Sequence, residues 1–251
     1  MTHASSRQTR QSAMSLLLLS NSATHGQPYL SHALEAITAH LSGRKHLLFI
    51  PYALADHDSY TATVAEAMHP IGVSVEGLHG QPDPVSAVGS AEAVFVGGGN
   101  TFRLLRILRR AGLLGPLRDR VHAGLPYLGS SAGTNVACPT IRTTNDMPIL
   151  DPEGFDALGL IPFQINPHYL DPDPASTHQG ETRAQRLTEF CEENGVPVLA
   201  MREGAWLRVD GEVASLQGAN GAVLFRHGHQ PEELSTDTDV SWMLATAAHR
   251  R

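Results

Sequence analysis

The chain has little cysteine and no long apolar run. Its 251 residues include two cysteines, Cys138 and Cys191. Two cysteines are too few for a disulfide framework, so we predict buried thiols of a reducing compartment. No apolar stretch approaches the roughly 20 residues that span a bilayer. We therefore expect a cytoplasmic protein with no membrane partner.

Positive charge is also scarce. The 18 Lys and Arg residues are outnumbered by 25 Asp and Glu residues, which gives a formal net charge of -7 at pH 7. Because phosphate binding requires a basic surface, this charge argues against a nucleic-acid partner. A small acidic substrate is still compatible, since one well-placed cation would suffice. With 41% hydrophobic and 17% charged residues, the chain can bury a sizeable core.

The N-terminal segment has the outline of a secretion signal. Arg7 and Arg10 precede the apolar residues 16–19, and residues 20–23 could pass for a cleavage site. The apolar part is shorter than the about 7 to 15 residues of a signal peptide. We predict instead a disordered tail over residues 1–13, with Met14 as an alternative natural start, and a single domain over residues 14–251.

Short apolar runs alternate with amphipathic helical segments in the first half of the chain. The runs predict strands at 15–19, 46–50, 73–78, 93–96 and 126–129. Helices are predicted at 28–41, 59–68, 101–111 and 117–123. This alternation indicates an α/β fold with a mostly parallel sheet sandwiched by helices, whose ligands bind beyond the carboxyl ends of the strands.

The second half of the chain is richer in loops. Residues 140–173 carry many Pro, Asn and Asp residues with weak periodicity. A helix is predicted at 181–193, with Gly195 as its stop, and a strand at 196–200. A C-terminal antiparallel meander is predicted from strands at 206–209, 212–216 and 222–226.

The most informative stretch reads Gly129-Ser130-Ser131-Ala132-Gly133, which fits the nucleophile-elbow pattern G-x-S-x-G. A sharp strand-to-helix turn brings the backbone close on both sides, so its flanking positions require glycine. Such a turn exposes Ser131 Oγ and leaves helix N–H groups free to bind an oxyanion. A plain Gly/Ser-rich turn is the alternative, but the apolar run before it and the helical segment after it favour a nucleophile.

A serine nucleophile needs a base, and the base needs an orienting acid. Among 14 histidines, His168 in I-N-P-H-Y is the best candidate, because Pro167 excludes a helix and favours a strand end. Asp146 in T-T-N-D-M-P and Glu203 in M-R-E-G-A-W are the candidate acids. The pattern alone leaves both open, and each could be an ordinary surface carboxylate.

A second glycine-rich turn spans residues 97–101. Phe102 occupies the third glycine position of the dinucleotide fingerprint, so a dinucleotide site is not predicted. The run of backbone N–H groups could combine with the Ala132 N–H to form an oxyanion hole. The alternative is a tight turn between a strand and a helix.

Several stretches together resemble the peptidase E family of aspartyl dipeptidases. They are S-L-L-L-L-S-N-S, V-G-G-G-N-T-F, G-x-S-A-G, A-C-P-T-I-R-T-T-N-D-M-P-I, D-P-x-G-F-D-A-L, Q-I-N-P-H, G-E-T-R and E-G-x-W, in the family's order over residues 15–225. The resemblance implies a cytosolic serine peptidase with a fold similar to class I glutamine amidotransferases. Such an enzyme cleaves dipeptides with an N-terminal aspartate and uses no metal or cofactor.

The resemblance also implies roles for individual residues. Ser131 would be the nucleophile and His168 the base, with Glu203 favoured as the triad acid. Asp146 is also treated as essential in the family and has been placed in the triad, so it stays the alternative acid. We expect it to hold the triad loop or to receive the substrate's α-ammonium group. The implied oxyanion donors are Gly98, Gly99 and Ala132.

Recognition of an aspartyl side chain calls for a planar cation, which arginine supplies. The resemblance favours Arg183 in G-E-T-R over Arg142 in T-I-R-T-T, and Asn100 completes the expected substrate-binding set. Ser130 departs from the family, because a bulkier aromatic residue can stand there in relatives. This departure leaves the fine substrate preference open.

Other hypotheses remain compatible with the sequence. A related serine hydrolase could act on longer aspartyl polymers or esters, and a non-catalytic protein could bind an anion at residues 97–101. A metal hydrolase could use His168, Asp171, Asp173 and His178, although no H-E-x-x-H spacing occurs. The preference at the second substrate residue is not indicated, and the protein could be a monomer or a homodimer.

Overall fold

A computed structural model describes residues 13–173, 175, 177 and 180–245. Residues 1–12 of the predicted tail and His178 lie outside the described residues. The strands are β1 (Ser15–Leu19), β2 (His46–Ile50), β3 (Ser74–Gly77), β4 (Val94–Val96), β5 (Tyr127–Ser130), β6 (Gln164–Tyr169), β7 (Val198–Arg202), β8 (Ala205–Asp210), β9 (Val213–Gly218), β10 (Ala222–Phe225) and β11 (Glu232–Leu234). The helices are α1 (Leu34–Leu41), α2 (His57–Met68), α3 (Pro84–Ser90), α4 (Thr101–Arg110), α5 (Leu114–His122), α6 (Ala132–Ala137), α7 (Arg183–Asn194) and α8 (Trp242–Ala245).

Seven strands form the main sheet, in the order β3-β2-β4-β5-β1-β8-β9. The first five are parallel, and β8 and β9 are antiparallel additions. Leu16 and Leu18 of β1 pack into the core on one face, whereas Leu17 and Leu19 pack into the core on the other. Burial on both faces explains the continuous apolar strands, and the predicted α/β fold is confirmed.

A second, mixed sheet has the order β11-β10-β7-β6. The C-terminal strands are antiparallel as predicted, but they are divided between the two sheets instead of forming one meander. The β8–β9 hairpin extends the main sheet, and β10 pairs with β7. All four residues of β10 are buried, so this strand needs the interior position that it takes between β7 and β11.

Element boundaries differ from the prediction where local backbone geometry intervenes. The predicted helix at 28–41 starts late, because Leu30 adopts a left-handed conformation with φ 61° and a 3-10 turn precedes α1. Helix α3 was not predicted. Its signal is the pair Asp83-Pro84, in which the Asp83 side chain accepts hydrogen bonds from Val85 N and Ser86 N. Gly195 ends α7 with φ 57°, as predicted.

Both cysteines are free thiols in the core, as predicted. Burial raises the pKa of the Cys138 thiol to about 12 and that of Cys191 to about 11. In the described part of the chain, no helix combines the length and the apolarity that a membrane span requires.

The turn between β5 and α6 leaves no space for a side chain at its glycines. A Cβ atom on Gly133 would lie 2.0 Å from the Val96 carbonyl oxygen, and one on Gly129 would lie 2.8 Å from the Gly133 oxygen. Helix α6 therefore sits directly on the backbone of β4. Glycine at both positions is a packing requirement of the turn.

We predict that Gly133→Ala destabilises the fold by about 2 to 3 kcal/mol, because the buried backbone of β4 must shift. Gly115→Ala in α5 is the matched control, since a Cβ there meets no atom within 4 Å. The control should be neutral or stabilising by up to about 1 kcal/mol. Urea unfolding measures both variants, and wild-type stability of Gly133→Ala would contradict the packing.

Candidate active site

Ser131 lies at the tip of the turn between β5 and α6. Its backbone is strained, with φ 52° and ψ -106°. A non-glycine residue in such a region costs on the order of 1 to 3 kcal/mol and persists only where neighbours hold it. The Leu19 carbonyl provides that hold, accepting hydrogen bonds from Ser131 N at 3.1 Å and Thr134 Oγ1 at 2.7 Å. The turn presents Ser131 Oγ beyond the carboxyl end of the strand.

His168 reaches this serine from a bulge in β6. The pairing of β6 with β7 breaks between Asn166 and Tyr169, and His168 has φ 54°. A bulge re-aims a side chain, and Pro167 has no N–H to lose from the ladder. His168 Nε2 consequently lies 3.1 Å from Ser131 Oγ.

Glu203 contacts the His168 ring from the turn between β7 and β8. Its Oε1 lies 2.7 Å from His168 Nδ1. Because a carboxylate only accepts, the neutral imidazole carries its proton on Nδ1 and presents the Nε2 lone pair to Ser131. The Glu203 side chain is 51% exposed. Solvent screens such a pair, so its main effect is to orient the ring and not to stabilise the fold.

Asp146 lies at the same edge but contacts a different element. Its Oδ2 accepts hydrogen bonds from Thr101 N at 2.7 Å and from Thr101 Oγ1 at 2.5 Å. These bonds place a negative charge at the N-terminus of α4, where the helix dipole favours it. Of the two predicted acids, Glu203 contacts His168 in this structure and Asp146 contacts Thr101.

The glycine-rich turn before α4 packs against the nucleophile. A Cβ on Gly98 would lie 3.2 Å from Ser131 Cβ. The Gly98 N–H donates to Tyr60 Oη at 2.8 Å, so this predicted oxyanion donor is already occupied. Within the described residues, the N–H groups of Gly99 and Ala132 have no hydrogen-bond acceptor. Two of the three predicted donors therefore have no acceptor among the residues that the structure describes.

Tyr60 holds the oxyanion turn but carried no signal in the sequence. It lies on the buried side of α2, where an aromatic residue usually indicates core packing. Its hydroxyl also lies 3.0 Å from the Tyr29 hydroxyl. Burial raises the pKa of both phenols, which keeps them neutral.

Three residues were predicted to bind substrate, and their surroundings differ. Arg183 begins α7 and lines the cleft around Ser131. Its Nη1 is buried and finds no acceptor in the described part of the chain. Burial and the nearby Arg186 lower the pKa of Arg183. The residue as a whole is half-buried, but a buried N–H without an acceptor is costly, and an anionic ligand would relieve that cost.

The other two predicted residues have structural contacts. The Arg142 guanidinium lies over the Phe155 ring, 5.1 Å from its centroid. Arg142 does not line the cleft around Ser131, but it lines an adjoining pocket together with Arg183. Asn100 caps α4 by accepting from Arg103 N at 3.1 Å and donates to the Met147 carbonyl at 2.9 Å. Each end of its amide makes one of these bonds and keeps a second donor or acceptor position, so the substrate-binding role of Asn100 stays a prediction. Its position just before a helix is the signal that indicates an N-cap.

The cleft has a volume of about 460 Å³, within the range of small-molecule sites. Its wall includes Ser131, His168, Glu203, Asp146, Arg183 and Gly99. Ser130, by contrast, is fully buried beneath this wall. A hydroxyl with an oriented imidazole and free N–H donors can carry out acyl transfer. One cation and two carboxylates suit a substrate that bears both signs of charge.

The residues of the metal-hydrolase hypothesis have other contacts. Asp171 makes two hydrogen bonds with Arg202, each of 2.7 Å, and His168 contacts Ser131 and Glu203. In the described ranges, no three His, Cys, Asp or Glu side chains lie close enough together to hold a metal ion.

Comparison with known proteins identifies the family. The family model described as peptidase family S51 matches residues 16–217. The chain belongs to peptidase family S51. It is 58% identical over 231 residues to Peptidase E of Streptomyces coelicolor, covering 92% of this chain and 95% of that protein. It is 53% identical over 236 residues to "Probable alpha-aspartyl dipeptidase" of Drosophila melanogaster, covering 93% and 98% of the two chains.

A solved structure supports the fold of this S51 peptidase. A peptidase from an acI-B1 actinobacterium is 16% identical, with a TM-score of 0.68 over 92% of this chain and 97% of the other. At this identity, the likeness shows a shared fold alone. The predicted family is confirmed by the family match, and the chain is a serine-type peptidase. The likeness to class I glutamine amidotransferases stays a prediction.

Proposed function

We propose that this S51 peptidase hydrolyses dipeptides with an N-terminal aspartate through an acyl-enzyme on Ser131. The observation that carries the proposal is Arg183, whose buried Nη1 lacks an acceptor among the described residues and which lines the same cleft as Ser131, His168 and Glu203. The names of the Streptomyces and Drosophila relatives, "Peptidase E" and "Probable alpha-aspartyl dipeptidase", support the same substrate class.

The proposed reaction follows serine acyl transfer. Ser131 Oγ attacks the carbonyl carbon of the N-terminal residue while His168 Nε2 takes its proton, and Glu203 stabilises the imidazolium. The N–H groups of Gly99 and Ala132 bind the developing oxyanion. The C–N bond then breaks, and His168 gives its proton to the leaving amine. Water activated by His168 hydrolyses the aspartyl ester and restores the serine.

Charges on two sides of the cleft would select the N-terminal residue. Arg183 would bind the side-chain carboxylate through paired N–H donors. Asp146 has one oxygen held by Thr101, while its Oδ1 makes no hydrogen bond with any described residue. We assign Oδ1 to the substrate's α-ammonium group. A residue that lacks either charge would leave one of these groups unpaired.

We also place the enzyme in the cytoplasm, since two buried free thiols suit a reducing compartment. We infer that residues 14–251 form one domain. The turn that carries Glu203 joins β7 of the smaller sheet to β8 of the main sheet, so the site depends on both sheets.

Release of free aspartate from Asp-Leu, with Ala-Leu as the comparison substrate, tests the proposed function. Wild-type enzyme should cleave Asp-Leu only, and Ser131→Ala should lose about 10⁴-fold or more in kcat. Ser130→Ala is the matched control, because it removes the neighbouring buried hydroxyl, which makes no hydrogen bond with a described residue. Full activity of Ser131→Ala would disprove the nucleophile. Cleavage of aspartyl esters or polymers without Asp-Leu turnover would favour the related-hydrolase alternative.

Paired substitutions separate the roles of the two acids. Glu203→Gln should lower kcat by about 10³-fold or more with little change in KM, since the imidazole loses its orienting charge. Asp146→Asn should raise KM by about 10- to 100-fold, as expected for loss of a charged hydrogen bond to the ammonium group. Steady-state kinetics with Asp-Leu measure both effects. The reverse pattern would make Asp146 the triad acid.

Arg183→Ala should lower kcat/KM for Asp-Leu by about 10²-fold or more, because the substrate carboxylate would be buried without a partner. Arg142→Ala, which removes a guanidinium stacked on Phe155, should stay within about twofold of wild type. Circular dichroism would establish that both variants fold. If Arg183→Ala keeps wild-type kinetics, this arginine does not select the aspartyl side chain.

A further inference from the structure

The sequence motif S-N-S after β1 has no part in the reaction described above, yet its first two side chains are fully buried polar groups. Ser20 Oγ accepts a hydrogen bond from His168 N at 2.9 Å and donates one to the Met201 carbonyl at 2.9 Å. His168 lies in the bulge of β6, where its N–H is out of the ladder. Because the bulge leaves the His168 N–H without an acceptor in the sheet, the Ser20 hydroxyl supplies one instead.

Asn21 makes the equivalent contact beside the acid. Its Oδ1 accepts from Gly204 N at 2.7 Å, one residue after Glu203. Its Nδ2 donates to the Ala23 carbonyl at 2.8 Å and to Thr24 Oγ1 at 3.2 Å, which anchors the amide to its own turn. The peptide that follows Glu203 is thus tied to the end of β1.

These contacts place consecutive residues under all three parts of the site. The Leu19 carbonyl holds the Ser131 N–H, the Ser20 hydroxyl holds the His168 N–H, and the Asn21 amide holds the Gly204 N–H. Neither side chain reaches the cleft, because both are buried. Leu19, Ser20 and Asn21 are adjacent in the chain, so the backbone fixes their spacing. They therefore set the distances between three segments that are far apart in sequence: the turn at Ser131, the bulge at His168 and the turn after Glu203.

We propose that Ser20 and Asn21 are positioning residues that hold His168 and Glu203 in register with Ser131. The Ser20 hydroxyl has both its proton and an acceptor position in use, so it bridges the β6 bulge and β7 with no freedom to rotate. A misplacement of about 1 Å in a reacting group can cost about 10²-fold in rate. This inference rests on the proposed serine mechanism, but not on the aspartyl substrate.

The test compares Ser20→Ala with Ser20→Thr, which keeps the hydroxyl. Ser241→Ala is the matched control, because Ser241 Oγ also accepts a backbone N–H, from Ala214 at 2.9 Å, away from the cleft. Ser20→Ala should lower kcat for Asp-Leu by about 10- to 100-fold with KM within about twofold of wild type, and Ser20→Thr should recover most of that loss. Ser241→Ala should keep wild-type kinetics.

A double-mutant cycle excludes a merely structural role. In a Glu203→Gln background, Ser20→Ala should lower kcat by less than about threefold. The Glu203→Gln change has already removed the orientation of the His168 ring that Ser20 helps to maintain. An equal loss in both backgrounds, or an unchanged kcat in folded Ser20→Ala, would overturn the proposal. If Ser20→Ala does not fold, Asn21→Ala takes its place, because it removes the acceptor of the Gly204 N–H. It should lower kcat by the same factor in the wild-type background and by less than about threefold in the Glu203→Gln background.

Labelling of Ser131 by a fluorophosphonate separates this inference from the substrate proposal. The reagent requires an activated serine but no aspartyl group. Ser20→Ala should slow labelling by the same factor as it lowers kcat, with Ser241→Ala labelling at the wild-type rate. Fast wild-type labelling without Asp-Leu cleavage would refute the substrate and leave the positioning intact. Equal labelling of wild type and Ser20→Ala would refute the positioning.

Discussion

The strained turn at Ser131 is the constraint on which the rest of the site depends. It holds a non-glycine residue at positive φ, and its flanking glycines let α6 pack directly against β4. The Leu19 carbonyl on the neighbouring strand stabilises the turn. Because the turn fixes Ser131 Oγ beyond the parallel strands, the base and the acid must reach that edge. They do so through a bulge in β6 and the turn after β7, both of which depart from regular pairing.

Much of this arrangement could be predicted from local sequence patterns. The apolar runs and G-x-S-x-G are contiguous signals, and Pro167 predicts a strand end at His168. The bulge that places His168 within β6 was not predicted. The oxyanion turn was harder, because a pattern does not show which acceptor takes each N–H. The Gly98 N–H is taken by Tyr60, which is 38 residues away in sequence. Asn100 has the chemistry of a ligand-binding amide, but its place before α4 makes it a helix cap.

Glu203 and Asp146 are both carboxylates, but their surroundings suit them to different roles. Glu203 is half exposed and contacts the imidazole, so it can orient the ring and balance its charge in the reaction. Asp146 binds the N-terminus of α4 through one oxygen and faces the cleft. Arg183 lines the same cleft, and its buried Nη1 has no acceptor among the described residues. A nucleophile that shares its cleft with an arginine and a carboxylate suits a short substrate that carries both charges.

The most direct test of the central claim is to trap the acyl-enzyme. An aspartyl p-nitroanilide is mixed with the enzyme, the reaction is quenched in acid during turnover, and intact mass spectrometry with peptide mapping follows. We expect one adduct with the mass of an aspartyl residue, located on the peptide that contains Ser131. An adduct on another side chain, or turnover with no adduct while p-nitroaniline appears in a burst, would contradict the assignment of Ser131 as the nucleophile.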